Sequence, residues 1–99
     1  MTMIKHTVFF KLKHAPGSAA EARFLELALA LAQIPEVGNL ECVRQVSKKN
    51  DFNWGLLMEF INQADYERYN AHPDHVKFVA EHWLPEVDRF LELDYVARR

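Results

Sequence analysis

The fold is decided first by residues 3–13, whose sequence is MIKHTVFFKLK. Side chains alternate along this stretch, with Ile4, His6, Val8, Phe10 and Leu12 on one side and Lys5, Thr7, Phe9, Lys11 and Lys13 on the other. A period of two in a segment rich in β-branched and aromatic residues predicts a β-strand. The strand should turn its more apolar side towards a core.

Turn and capping signals divide the rest of the chain into further elements. Residues 14–17 (HAPG) form a turn, and Ser18 with Glu21 has capping-box spacing, so a helix is predicted over 19–34 with Pro35 ending it. The polar stripe of this helix is narrow, which predicts that most of its surface is buried. A weaker strand with the polar content of a sheet edge is expected over 39–47, and a strong strand over 52–61.

The last third of the chain should contain two helical segments and a final strand. Asn62 is placed to cap a helix that runs to about Asn70, and His72-Pro73 begins a second helix. Pro85 should kink or end that second helix, and residues 90–96 should form the last strand.

The predicted order β-α-β-β-α-β indicates an α+β, ferredoxin-like fold over residues 1–99, with a four-stranded antiparallel sheet and helices on one face. The opposite face would carry a set of apolar residues: Phe9, Val43, Leu57, Leu91, Leu93 and Tyr95. Because large exposed apolar patches usually mark interfaces, a homodimer is expected, with Phe9, Leu57, Leu91, Leu93 and Tyr95 at its interface. The alternative is a sheet whose exposed face is tolerated.

Composition narrows the classes of partner. Of 99 residues, 49% are hydrophobic and 26% are charged, which is typical of a globular protein. The net charge is −2 and no basic patch is present, so nucleic acid is not expected as a partner. The longest apolar-rich stretch, residues 24–34, is too short to span a bilayer, so a membrane is not expected either. The lone Cys42, together with the lack of an evident signal peptide, favours a cytoplasmic location.

Three polar residues are candidates for chemistry. His75 follows a predicted helix start, where the positive helix end should lower its pKa, and Tyr69 precedes the break, so the two could form an acid–base pair. His6 is either a core histidine with a bonded ring nitrogen or a titratable group that faces a cavity. His72 has a sufficient structural role as a helix cap. The spacing of the histidines does not favour a metal site, and no cofactor is expected.

The sequence resembles the stress-responsive dimeric α/β-barrel (Dabb) domain family. The resemblance is carried by residues 3–13, by Ile34-Pro35-Glu36-Val37, by residues 69–76 with their HPDHV segment, and by Asp94-Tyr95. It implies a ferredoxin-like subunit that pairs into an α/β barrel. A more distant resemblance is to olivetolic acid cyclase, a plant polyketide cyclase of that family. It implies catalytic roles for residues at Tyr69 and His75, with His6 in the same pocket.

Three functions are therefore open. The first is a homodimer that binds a small apolar or carbonyl-containing molecule between sheet and helices, with cofactor-free chemistry by His75 as base, Tyr69 as donor and His6 as orienting group. The expected ligand contacts are Val8, Phe10, Phe24, Trp54, Phe78 and Glu92. The second is a non-catalytic stress-associated or assembly protein, and the third is a cofactor-free monooxygenase.

Overall fold

The computed structural model describes residues 2–99. Its four strands are β1 (Ile4–Leu12), β2 (Gly38–Arg44), β3 (Trp54–Phe60) and β4 (Val87–Tyr95). They form one sheet in the order β2-β3-β1-β4, and every neighbouring pair is antiparallel. The ferredoxin-like fold predicted from the order of elements is confirmed, and β2 lies at a sheet edge as its polar content indicated.

The helices pack on one face of this sheet. They are α1 (Ala19–Leu29), which continues as a 3₁₀ turn (Ala30–Gln33), then α2 (Gln63–Ala71), α3 (Pro73–Phe78), a π turn (Val79–Trp83) and the short α4 (Leu84–Glu86). Within residues 2–99, no helix has the length and apolar content needed to cross a bilayer.

The helix starts follow from their caps. The Ser18 hydroxyl accepts the Glu21 N–H at 3.2 Å, and the Asn62 side chain accepts the Asp65 N–H at 2.8 Å. His72 caps α3 in the same way, because its Nδ1 accepts the Asp74 N–H at 3.1 Å. These bonds satisfy backbone donors that a helix leaves unpaired at its N-terminus.

Prolines shape the helical segments at two places: the first differs in detail from the prediction, and at the second Pro85 distorts the helix, one of the two outcomes predicted. The segment predicted as one helix to residue 34 tightens into a 3₁₀ turn after Leu29, and Ile34 becomes extended because Pro35 disfavours a helical residue before it. The π turn ends at Trp83, two residues before Pro85, which has no N–H to donate to the preceding turn. The chain still continues as α4, so Pro85 distorts the helix without ending it.

The last strand begins at Val87, three residues before the predicted start. Val87 is already extended and pairs with Leu12 after a register shift next to Lys11, and the Lys13 N–H donates to the Glu86 carbonyl at 2.9 Å. Pairing with β1 therefore extends β4 at its N-terminal end, where the sequence shows no clear alternation.

The core lies between the sheet and the helices. Its largest fully buried side chains are Phe10, Phe24, Phe60, Ile34 and Leu56. The expectation that α1 is mostly buried is wrong, because only one stripe, which includes Phe24 and Ala28, faces the sheet, while Leu29 is 42% exposed.

The other face of the sheet has no covering layer in the single chain. Phe9 and Leu57 lie at its centre, and the Phe9 ring lies against Gly55, where a Cβ atom would collide with it. Towards β4 the apolar side chains become more exposed: 49% for Leu91, 56% for Leu93 and 55% for Tyr95. The apolar sheet face expected from the alternation is therefore present.

We predict that Phe24→Ala lowers the free energy of unfolding by about 3–5 kcal/mol, because it removes a fully buried ring from the core. Chemical denaturation measures the change. Leu29→Ala on the same helix is the control and should change stability by less than about 1 kcal/mol, since Leu29 is largely exposed. Equal losses in the two variants would contradict the assignment of the buried stripe.

Candidate functional site

A cavity of about 300 Å³ lies between β4 and the helical layer. Its wall is mostly apolar and is formed by Leu31, Leu56, Phe78, Val79, Trp83, Leu84 and Phe90. Four polar residues complete the lining: Tyr69, Asn70, His75 and Glu92. A largely apolar pocket with a few convergent polar groups is the usual form of a small-molecule site.

Tyr69 and His75 meet across the break between α2 and α3. Tyr69 lies near the end of α2, His72 and Pro73 turn the chain, and His75 falls in the first turn of α3. The two rings are 4.3 Å apart between centroids and are tilted by 42°. The break therefore brings together two residues that are six positions apart in sequence.

The tautomer of His75 is fixed by the backbone. Its Nδ1 lies 3.1 Å from the carbonyl oxygen of Asn70, and since a carbonyl only accepts, Nδ1 carries the proton. Nε2 of the neutral ring is then the nitrogen with a free lone pair. The neutral side chain is thus prepared to act as a base through Nε2.

The pKa values of the pair are displaced in opposite directions. Burial lowers the pKa of His75 and outweighs the raising effect of the hydrogen bond to the Asn70 carbonyl; His6 and His72 add to the lowering, and Glu92 opposes it. The sequence predicted this direction but assigned it to the helix end, whereas burial is the main cause. Burial also raises the pKa of Tyr69, and the charge of Glu92 adds to this effect. A neutral imidazole therefore lies against a phenol that keeps its proton.

His6 lies behind the cavity wall, in a hydrogen-bonded network. Its Nδ1 donates to Asp94 Oδ1 at 2.5 Å, and the Tyr66 hydroxyl donates to Asp94 Oδ2 at 2.7 Å. The Tyr66 oxygen also lies 3.0 Å from His6 Nδ1. On its other side, His6 Nε2 is 3.9 Å from Glu92 Oε2. His6 is therefore a core histidine that is hydrogen-bonded through Nδ1. It does not itself line the cavity, whereas its neighbour Glu92 does.

The expected ligand contacts divide into two groups. Phe78 and Glu92 line the cavity, whereas Val8, Phe10, Phe24 and Trp54 do not. Val8, Phe10 and Phe24 are core residues. Trp83, which lines the cavity, packs edge-on against Phe10 with ring centroids 5.1 Å apart and so lies between Phe10 and the cavity.

Trp54 lies in another part of the molecule. Its indole N–H donates to Glu21 at 3.0 Å, and the Arg44 guanidinium lies 4.5 Å from its ring centroid. The site hypothesis for Trp54 is therefore wrong for this cavity. It contributes to the contact between β3 and α1.

Sequence reasoning missed several residues of the site. Asp94 and Tyr66 bind His6, and the cavity wall includes Trp83, Leu84 and Phe90.

Alternation on β4 could have indicated that Phe90, Glu92 and Asp94 share a face, but their partners on β1 depend on the register of the two strands. The orientation of Trp83 and Leu84 depends on the π turn: Pro85 predicted a distortion of this helix but not its form.

The family model of the stress-responsive A/B barrel domain (Dabb) matches residues 4–97. The chain therefore belongs to the Dabb family.

Known Dabb proteins and structures of this fold agree with the observed architecture. A curated relative, a stress-response A/B barrel domain-containing protein of Arabidopsis thaliana, is 30% identical over 98% of this chain, which spans 38% of the length of that relative. A Dabb family protein from Mesorhizobium loti with a ferredoxin-like fold is 51% identical, with a TM-score of 0.97 over 100% of both chains.

Two more distant structures show how widely the fold is used. A dimeric protein of unknown function from Bacteroides fragilis is 25% identical, with a TM-score of 0.69 over 96% of both chains. A hydroxynitrile lyase from Passiflora edulis is 18% identical, with a TM-score of 0.85 over 97% of this chain and 94% of that chain. Proteins of this fold thus include dimers and at least one enzyme, although the likeness to the lyase concerns the fold alone.

We predict that the ring of His75 titrates below its ordinary pKa of 6.5 in the folded protein. Between the lowered pKa and 6.5 the unfolded chain binds more protons than the folded one, so the contribution of His75 makes stability rise with pH across this window. Nuclear magnetic resonance of the ring protons gives the midpoint, with His75→Gln identifying the signal. Denaturation at several pH values should show a flatter pH dependence for His75→Gln, and equal slopes for the two proteins would contradict the prediction.

Proposed function

We propose that this Dabb protein binds a small, largely apolar carbonyl compound in the cavity beside β4 and promotes its enolisation without a cofactor. The observation that supports this most strongly is the contact between a neutral, half-buried His75 and a protonated, buried Tyr69 in the wall of a largely apolar cavity. Cofactor-free acid–base chemistry on a carbonyl compound needs one base and one donor within reach of the same substrate.

The proposed step is a proton transfer. Nε2 of His75 takes a proton from the carbon next to the carbonyl group, and the electron pair of the broken C–H bond forms the C=C bond of an enolate. The Tyr69 O–H donates a hydrogen bond to the carbonyl oxygen as negative charge develops there. Its raised pKa keeps the phenol protonated for this purpose. The product leaves as an enol or reacts further at carbon.

His6 acts in this proposal as a positioning residue. Asp94 and Tyr66 hold its ring through Nδ1, and its Nε2 lies beside the Glu92 carboxylate. The centroid of the His6 ring is 6.2 Å from that of Tyr69. His6 therefore supports the wall on which Tyr69 and Glu92 lie and does not itself line the cavity.

We propose in addition that two copies pair through the uncovered sheet face to give a dimeric α/β barrel. Leu91, Leu93 and Tyr95 are each about half exposed on that face, next to Phe9 and Leu57. Exposed apolar surface of this kind is stabilised when a symmetric partner covers it. The ferredoxin-like protein from Bacteroides fragilis is a dimer, which supports self-association of this fold.

A second candidate function is non-catalytic. His72 caps α3 and His75 bonds the Asn70 carbonyl, so both histidines also have structural roles at the helix break. In that case the cavity binds a ligand without converting it, or the break serves only to shape the fold of an assembly protein. A cytoplasmic location and the absence of nucleic-acid and membrane partners stay predictions from the sequence.

We predict that the wild-type protein accelerates exchange of the methyl protons of acetophenone in D₂O, followed by nuclear magnetic resonance. His75→Gln should reduce the protein-dependent rate by at least about 10²-fold because the base is lost, and Tyr69→Phe by about 10²-fold because the enolate loses its donor. His82→Gln is the matched control and should keep the wild-type rate, since His82 bonds Glu86 outside the cavity. Binding of acetophenone without faster exchange would support the non-catalytic candidate instead.

We predict that the wild-type protein sediments as a dimer and that Leu93→Lys shifts it to a monomer, because a charge is then placed on the apolar sheet face. Val76→Lys is the control: Val76 is similarly exposed (53%, against 56% for Leu93), but it lies on α3, so the dimer should persist. Analytical ultracentrifugation distinguishes the two masses. A monomeric wild-type protein, or a dimer that is insensitive to Leu93→Lys, would overturn the proposed interface.

A further inference from the structure

Among the described residues that line the cavity, Glu92 is the only acidic or basic one apart from the neutral His75. It lies on β4 directly opposite Val8, on the side of the sheet that faces the helices. Its side chain is 50% exposed, so the carboxylate contacts solvent as well as the cavity. A ligand that fills the cavity on this side therefore lies next to the carboxylate.

The two carboxylates on this face of β4 have different surroundings. Asp94, two residues further on, accepts hydrogen bonds from His6 at 2.5 Å and from Tyr66 at 2.7 Å. Among the residues that the structure describes, the nearest cation or imidazole to Glu92 is His6, whose Nε2 is 3.9 Å away and beyond hydrogen-bonding distance. Asp94 is thus satisfied by the protein itself, whereas Glu92 keeps acceptor capacity that faces the cavity.

We infer that Glu92 selects ligands that carry a hydrogen-bond donor, a hydroxyl or an ammonium group, and that it discriminates against ligands that carry a carboxylate. The inference rests on the proposed function and narrows its substrate class to carbonyl compounds with a donor at the end remote from the carbonyl group.

The discrimination has a physical reason in both directions. A ligand with a donor can form a charge-assisted hydrogen bond with Glu92, whereas a purely apolar ligand would displace water from the carboxylate without replacing its bonds. A ligand carboxylate would add a second negative charge beside Glu92. The charge of Glu92 already acts across the cavity, because it contributes to the raised pKa of Tyr69.

The test uses four acetophenones that differ only in the para substituent: methyl, hydroxymethyl, aminomethyl and carboxylate. Their binding is measured through quenching of Trp83 fluorescence in a Trp54→Phe background, since Trp83 lines the cavity and Trp54 does not. The wild-type order should be aminomethyl and hydroxymethyl tighter than methyl, and carboxylate weakest. Each step should be about fivefold, as is typical of partly exposed charges.

Glu92→Gln should remove the charge preference. We expect the aminomethyl compound to lose about fivefold in affinity and the carboxylate to gain about as much, with the methyl compound unchanged. The hydroxymethyl compound distinguishes a neutral donor from a charged one. If its affinity is unchanged in Glu92→Gln, any acceptor at this position suffices for a hydroxyl donor. If its affinity falls together with that of the aminomethyl compound, the negative charge is required. Both results support selection by Glu92.

The inference and the proposed function fail in different ways. If all four compounds bind the wild type equally, or if Glu92→Gln leaves their order unchanged, selection by Glu92 is overturned while the cavity proposal stands. If none binds, or if Val79→Phe, which should fill the cavity, has no more effect than Val76→Phe on the exposed side of α3, the proposed function itself is overturned. Sedimentation of the Val79→Phe variant verifies that it is folded.

Discussion

The position of β1 in the middle of the sheet is the constraint on which the rest of the structure depends. Because β1 pairs with β3 on one side and β4 on the other, each of its residues has fixed neighbours on both strands. Its alternation then assigns one face of the sheet to the helices and the other to the partner proposed for it. The same register places Phe90, Glu92 and Asp94 beside this strand on the helix side. The cavity wall and the His6 network are therefore two consequences of one strand pairing.

The helical layer supplies the remaining half of the cavity because it is interrupted twice. His72 and Pro73 separate α2 from α3, and the π turn separates α3 from α4. The lining comes from segments on both sides of the first interruption, with Tyr69 before it and His75 after it. The first interruption brings the Tyr69 and His75 rings into contact, and the π turn is a local departure of a kind that is frequent at functional sites.

The network around His6 shows how one strand can serve two purposes. Asp94 and Glu92 are two residues apart on β4 and so point to the same side of the sheet. Asp94 is bound by His6 and Tyr66 and stabilises the buried imidazole, whereas Glu92 lines the cavity and is half exposed. The free acceptor capacity of Glu92 is the feature on which the proposed ligand selection rests.

The sequence by itself determined the elements, because alternation, capping residues and prolines act over a few neighbouring residues. It indicated the ferredoxin-like order, the apolar second face of the sheet, and the placement of Tyr69 and His75 at a helix break. Only the tertiary structure decided that Asp94 meets His6, that Phe10 and Phe24 belong to the core, and that Trp83 closes the cavity. Those contacts depend on the register between distant strands and on the form of the π turn. No local pattern gives the register, and Pro85 indicates a distortion without specifying its geometry.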